Sequence, residues 1–346
     1  MFSEQGQGLD CVPAGRIHRP ARRLPKVGSR ISLILTVSRA HGFSWSTHFG
    51  RGHHMGNVEY HRVLAGKRRR VGRGILAIVL LFGGLLAVSV VLSVGAAALD
   101  DRGSDDSYTP LTHAVAMFSL ALLLPWSMVI QRWLYGVPGA SLHSVFSRFR
   151  FDVFGRALLL ILPVCVAALV VSDYLAPEPR SVWSDTDVLW LLAATLLLTP
   201  LQAAGEEYGF RGLVFRVAGS WTRGSRSGLV LGLIVMAVAF TVSHAATDAW
   251  LNIWYVVLAI GTGLVTWRTG GLEVAVVLHA LWNTLGFVFS IAMRSDLNSV
   301  VTDRDAGAAS AATLIPSAVV LATVVIVWFT TRRTGPLTAE AGSSRT

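Results

Sequence analysis

Two adjacent glutamates, Glu206 and Glu207, follow an apolar stretch that is typical of a membrane-spanning helix. A carboxylate inside a bilayer costs on the order of 3 kcal/mol, so each glutamate requires a partner or a function. On a helix, Arg211 lies on the same face as Glu207, four residues later and in the favourable order of charges. Glu206 points about 100° away from Glu207, so this arginine does not easily reach both carboxylates. Glu206 is therefore the candidate for chemistry.

Three further polar residues lie in the apolar segments that follow. His244 lies near the end of one segment, and His279 and Asn283 share one helical face of a later segment. A carboxylate and an imidazole can together take a proton from a water molecule. A second imidazole and an amide can donate hydrogen bonds to a developing oxyanion. This set of side chains is sufficient to hydrolyse an amide bond.

The same groups could instead bind Zn²⁺, which accepts histidine nitrogen and carboxylate oxygen as ligands. The possible ligands are Glu206, His244 and His279. Neither histidine is followed by glutamate, so the sequence does not contain the HExxH pattern of zinc proteases. It also contains no rhomboid-like GxSG serine. The residues alone leave two options open, a water activated by side chains without a cofactor and a water bound to zinc.

The composition is that of a membrane protein. Of the 346 residues, 53% are hydrophobic and 14% are charged, whereas a soluble domain has about 25% charged residues. The formal charge of +10 does not indicate nucleic-acid binding, because 14 of the 30 basic residues lie within the first 73 positions. The two cysteines are far apart in sequence, which predicts neither a disulfide framework nor a cysteine-based metal site.

The apolar runs and the charges of the loops between them predict eight spans. The basic run Lys67–Arg70 precedes the first span, so the positive-inside rule places the N-terminus in the cytoplasm. The acidic loop 100–109 suits the outer side, and the inner side is marked by Arg211, Arg216, Arg223 and Arg226. We therefore predict an all-α polytopic transmembrane bundle with both termini inside. The predicted spans are Ile75–Leu99, Leu111–Ile130 with a kink at Pro125, Phe154–Leu175, a fourth from Val188 into the glutamates, Gly228–Ala246, Ile253–Trp267, Leu272–Met293 and Thr313–Thr331.

The polar residues form three motifs in a membrane setting. The motifs are Glu206-Glu207-x-x-x-Arg211, Phe240-x-x-x-His244 and His279-x-x-x-Asn283. In this order they resemble the motifs of the CPBP family, the intramembrane proteases related to the eukaryotic CAAX prenyl endoprotease and also called the Abi family. The resemblance extends from about Val188 to Phe289.

The resemblance implies an endopeptidase in which Glu206 and His244 activate water while His279 and Asn283 stabilise the oxyanion. The neighbouring ion pair would then be mainly structural. The family is commonly labelled a metalloprotease, which keeps the zinc option open. The implied partners are a membrane-associated or lipidated protein or peptide substrate and the lipid bilayer, with no nucleic acid, and the implied location is a bacterial cytoplasmic membrane.

We predict four parts along the chain. Residues 1–54 form a disordered basic segment, or an over-extended start that Met55 would replace. Residues 55–187 form the N-terminal transmembrane helices, and residues 188–292 form the CAAX-protease-like catalytic core. Residues 293–346 contain the last transmembrane helix and a cytoplasmic tail.

Two of the candidate residues fall at different depths in the membrane when residues are counted along the predicted spans. Glu206 falls near the inner face of the membrane, and His244 falls near the outer face. They can meet only if the fourth span continues well past Arg211, or if helices are tilted or broken.

Two other functions compete with proteolysis. One is a catalytically silent scaffold or immunity protein with the same fold, which would be free to lose residues such as Glu206 or His279. The other is a proton-coupled transporter, which would predict internal repeats and broken helices in both halves of the chain. The polar residues here are confined to the C-terminal half, which favours the protease.

Overall fold

The structure is a computed structural model that describes residues 57–66, 69–100 and 108–339. The segment 1–54, which was predicted to be disordered, lies outside the described residues. In the described part of the chain, eight helical segments are long and apolar enough to cross a membrane, which confirms the predicted helical bundle. The helices are α1 (Val71–Ala97), α2 (Pro110–Ala121), α3 (Leu123–Tyr135), α4 (Phe151–Leu175), α5 (Asp185–Glu206), α6 (Phe215–Gly219), α7 (Ser225–Ser243), α8 (Ala249–Thr269), α9 (Glu273–Ala292), α10 (Leu297–Thr302) and α11 (Leu314–Thr331).

Local signals determine where several of these helices begin and end. Thr109 and Thr112 form a reciprocal capping box at the start of α2. The carboxylate of Asp248 accepts a hydrogen bond from the backbone N–H of Leu251 at the start of α8. Gly270 ends α8 in the left-handed conformation, with φ of 65°, which a residue without a Cβ adopts at little cost.

The second span consists of α2 and α3, which are separated at Leu122. Pro125 has no backbone N–H to donate to Ala121, so the helix is interrupted close to the predicted kink. Gly205 on α5 packs against this interruption, and a Cβ at that position would overlap the carbonyl oxygen of Leu120. The backbones of the two spans therefore approach closely, one residue before the first of the two glutamates.

The fourth span is much longer than its apolar run. Helix α5 continues through a π-helical segment, Glu207–Val214, into α6, and the whole segment Asp185–Gly219 contains 35 residues. At 1.5 Å per residue it extends about 52 Å, whereas the hydrocarbon core of a bilayer is about 30 Å thick. Glu206 thus lies in the interior of this segment and not at its inner end. The continuation past Arg211 removes the conflict in depth with His244.

The short segment that precedes α1 covers the end of the bundle at which α1 begins. Tyr60 is fully buried, and its hydroxyl donates a hydrogen bond of 2.6 Å to the carbonyl oxygen of Leu142. The guanidinium of Arg216 lies 3.9 Å from the centre of the Tyr60 ring and donates to the carbonyl oxygen of Ser141 at 2.6 Å. Arg216, whose charge contributed to the predicted inner side, therefore lies within α6 and is held by two buried contacts. It is fully buried, because an aromatic ring and a carbonyl group replace water around its charge.

Two further contacts at this end of the bundle connect segments that are far apart in the sequence. Val58–Glu59 pairs with Thr338–Ala339 as a short antiparallel ladder, so the segment before α1 meets the segment after α11. Arg150 and Glu273 form a buried ion pair of 2.6 Å that connects the start of α4 to the start of α9. Because α9 carries His279 and Asn283, these contacts help to fix the helix that bears half of the candidate site.

We expect Gly205→Ala to lower the free energy of unfolding by about 1–3 kcal/mol, because the added methyl group forces α2 away from α5. Thermal unfolding of the detergent-solubilised protein measures this change. The matched control is Gly155→Ala on α4, where an added Cβ meets no atom within 4 Å. That variant should be neutral or slightly stabilising, since alanine favours a helix. An unchanged melting temperature for Gly205→Ala would contradict the close approach.

Candidate active site

The structure contains the ion pair that the helical spacing predicts. Arg211 Nη1 lies 3.2 Å from Glu207 Oε1, and both side chains are fully buried. The Arg211 guanidinium also donates through Nε to Thr262 Oγ1 on α8, at 2.7 Å. Its carbon Cζ lies 4.2 Å from the centre of the Phe240 ring on α7. One buried cation thus connects the π-helical segment to two other helices.

His279 on α9 lies between the two glutamates. Its Nδ1 is 2.7 Å from Glu207 Oε1, and its Nε2 is 3.4 Å from Glu206 Oε2. A carboxylate oxygen only accepts hydrogen bonds, so the short contact requires that Nδ1 carries a proton and donates to Glu207. Glu207 therefore has two partners, His279 and Arg211. Sequence spacing shows only the arginine, because His279 is 72 residues away in the chain.

Glu206 is the glutamate that the arginine does not neutralise. Its side chain is 7% exposed, and Oε2 accepts no hydrogen bond from any described residue. Among the ion pairs of the described residues, the partner of Glu206 is the imidazole of His279. A proton on Nε2 or on Oε2 must lie between these two atoms for the contact to be favourable, because two lone pairs would repel each other. The pair is thus suited to hold one exchangeable proton.

His244 is placed beside this pair by the end of α7. It is the residue after the last helical turn, and its Nδ1 lies 2.7 Å from the carbonyl oxygen of Phe240. A carbonyl oxygen only accepts, so Nδ1 is the donor and Nε2 of the neutral ring is the basic nitrogen. The ring stacks on Tyr255 with centroids 4.0 Å apart. His244 interacts electrostatically with both Glu206 and His279, so the structure brings the first two motifs together.

Phe240 is the residue around which the three motifs pack. Its ring lies 4.6 Å from the His244 ring and 6.0 Å from the His279 ring, measured between centroids. The third motif continues one turn along α9, where Asn283 Nδ2 donates to Gln202 Oε1 at 3.1 Å. Gln202 is 4% exposed and was not predicted as a site residue. Its position four residues before Glu206, on the same helical face, is the signal that could have identified it.

Two features of the described residues bear on whether zinc could bind at this site. Among the described residues, no group of three His, Cys, Asp or Glu side chains has the spacing of metal ligands. The Nδ1 atoms of His244 and His279 both donate to protein oxygens, which leaves one nitrogen on each ring. The zinc set of Glu206, His244 and His279 therefore stays a prediction, and the mechanism below contains no metal step.

The candidate site lies within a part of the chain that matches a known protein family. Residues 187–285 match the family described as type II CAAX prenyl endopeptidase Rce1-like. This match confirms the resemblance that the three motifs suggested, and the Rce1-like region contains every residue of those motifs. Together with the eight apolar helices it indicates a multi-pass membrane protein.

The chain is also similar to one curated bacterial protein. YyaK of Bacillus subtilis (strain 168), named as an uncharacterized protein, is 27% identical over 182 residues. The matched part covers 50% of this chain and 58% of the relative, so the chain spans little more than half of the relative's length. No solved structure matches the chain.

We expect Arg211→Met to lower the free energy of unfolding by about 3–5 kcal/mol, because it leaves the Glu207 carboxylate buried without its cation. Denaturant or thermal unfolding in detergent measures the loss. Adding Glu207→Gln to this variant should recover part of the lost stability, since both charges are then removed. Arg226→Met, at an exposed arginine on α7, is the control and should be nearly neutral. Equal stability of the Arg211 and Arg226 variants would show that the buried pair is unimportant.

Proposed function

We propose that this chain is an intramembrane endopeptidase that hydrolyses a peptide bond in a membrane-associated or lipidated protein or peptide. The observation that carries the proposal is the environment of Glu206. This carboxylate is buried beside two imidazoles, and the adjacent arginine neutralises the neighbouring glutamate instead. A charged group kept in a bilayer without a structural partner is typical of a functional site.

In the proposed reaction, Glu206 takes a proton from a water molecule with the help of Nε2 of His244. The resulting hydroxide oxygen attacks the carbonyl carbon of the peptide bond. His279, with the shared proton on Nε2, and Asn283 donate hydrogen bonds to the carbonyl oxygen as it becomes an oxyanion. When the C–N bond breaks, the amine takes the proton that the water gave up. Atoms and charges balance with water as the second substrate.

Glu207 and Arg211 support this reaction without touching the substrate. Glu207 accepts the Nδ1 proton of His279 and so fixes which nitrogen faces Glu206. Arg211 neutralises Glu207. In the proposed reaction, proton exchange is therefore assigned to Glu206. A carboxylate that orients a catalytic imidazole in this way is a known element of hydrolases.

The proposed membrane location and substrate class rest partly on the family match. We place the enzyme in a bacterial cytoplasmic membrane with both termini inside, as the loop charges predict. The substrate class follows from the family description and from the site's position within helices that are apolar enough to span a bilayer. A catalytically silent scaffold of the same fold is the alternative that an activity measurement tests.

The proposal predicts that purified protein in liposomes cleaves one or more members of a fluorogenic peptide panel that contains lipidated and unlipidated sequences. Glu206→Ala should reduce the rate by at least about 10²-fold, since it removes the general base. Asn283→Ala should reduce it by about 10²-fold through loss of an oxyanion donor. The control is Glu178→Gln, a glutamate on the loop after α4 that bonds Ser290, which should keep the wild-type rate.

Two outcomes of the same assay would contradict the mechanism. Full activity of Glu206→Ala would show that another group activates the water. Activity that a chelator abolishes and added Zn²⁺ restores would show that a metal ion takes part, and the side-chain mechanism would then be wrong. Cleavage products identified by mass spectrometry establish which peptide bond is broken.

A further inference from the structure

A row of four buried polar side chains runs along one face of α5 and ends at Glu206. The row consists of Thr195, Thr199, Gln202 and Glu206. Its members are separated by four, three and four residues, which places them within one narrow helical face. All four, taken as whole residues, are at most 5% exposed, whereas Leu196 and Leu197 on the opposite side are 59% and 71% exposed. In a helix of this apolar character, polar residues on the inward face need an explanation beyond packing.

The outer end of this row continues onto α2 by hydrogen bonds. Thr195 Oγ1 lies 2.9 Å from Nε2 of His113, and Nδ1 of His113 lies 2.6 Å from the hydroxyl of Tyr108. His113 is fully buried and has no part in the proposed chemistry, while Tyr108 is only partly buried at the start of α2. Phe287 of α9 packs on His113 with centroids 4.9 Å apart. The row is therefore enclosed by α2, α5 and α9.

The inner end of the row enters the candidate active site. Gln202 accepts the hydrogen bond from Asn283, and Glu206 lies one turn further along α5. The chain of polar groups thus extends from the end of the bundle at which α2 begins to the proposed catalytic carboxylate.

Thr199 stands in the middle of the row with an unused hydroxyl. It is fully buried, and its Oγ1 has no hydrogen-bond partner among the described residues. Other buried threonines of the spanning helices, such as Thr262 and Thr269, donate to a carbonyl oxygen one turn earlier. Thr199 does not, so its hydroxyl can both donate to and accept from a water molecule between Thr195 and Gln202.

We propose that these groups form a path that supplies water to Glu206 from the outer end of the bundle. We call it the α5 polar path and define it as Tyr108, His113, Thr195, Thr199, Gln202 and Glu206. The inference rests on the proposed function, because hydrolysis consumes one water molecule for each bond that is cut. Glu206 and His279 are both buried, so the water that hydrolysis consumes needs a route to Glu206 through the bundle.

Hydroxyl-radical labelling of the intact protein tests this path without any substrate. Radicals formed from water oxidise methionines that lie beside that water. Met117 is 6% exposed, and it lies one turn after His113 on the same face of α2, whereas Met236 is fully buried in the apolar core. Mass spectrometry after a short radiolysis pulse gives the ratio of Met117 oxidation to Met236 oxidation.

We expect a high ratio in the wild type and a several-fold lower ratio in Thr199→Val, which keeps the shape of the side chain and removes the hydroxyl. The matched control is Thr266→Val on α8, whose hydroxyl is equally buried and without a described partner, and which should keep the wild-type ratio. Similar oxidation of the two methionines in the wild type would overturn the path. So would an unchanged ratio in Thr199→Val.

Cleavage measured on the same variants separates the path from the enzymatic function. We expect Thr199→Val to lower kcat several-fold with KM unchanged, because substrate binding does not use the path. Labelling as expected in a protein that cleaves no peptide would support the path as a route for water and contradict the proposed function. Wild-type kcat and wild-type labelling in Thr199→Val would overturn the path and leave the endopeptidase proposal intact.

Discussion

The buried ion pair of Arg211 and Glu207 is the interaction on which the rest of the site depends. Charges in a low-dielectric bundle must be compensated locally, and here the compensation reaches four helical segments. The cation lies on the Phe240 ring and donates to Thr262, while the anion holds His279. The contacts that stabilise this ion pair within the membrane therefore also fix the imidazole of His279, which faces Glu206.

The pair also explains why two adjacent glutamates have different environments. Neighbouring residues on a helix point about 100° apart, so one arginine satisfies one carboxylate and leaves the other facing two histidines. The close approach of Gly205 to Leu120 brings α2 beside the free carboxylate, and α2 contributes the polar groups that lead outward from it. In the proposed function, structural compensation, proton exchange and access to water would thus converge on one turn at the end of α5.

The parts of this account that the sequence predicted are those that depend on short-range spacing. The eight apolar runs, the interruption near Pro125 and the four-residue spacing of Glu207 and Arg211 each lie within one span. The contacts that spacing could not predict join distant helices, as His279 joins Glu207 and Gln202 joins Asn283. The burial of Arg216 was also missed, because the aromatic ring beneath it belongs to Tyr60, far earlier in the chain. The charge pattern along the chain therefore could not reveal this environment.

The different roles proposed for Glu206 and Glu207 can be tested by one paired measurement. Glu206→Gln and Glu207→Gln are prepared side by side, and the melting temperature and the peptide-cleavage rate are determined on the same samples. The account predicts that Glu206→Gln melts close to the wild type and is inactive, whereas Glu207→Gln melts at a clearly lower temperature. An active Glu206→Gln, or a Glu207→Gln variant as stable as the wild type, would contradict it.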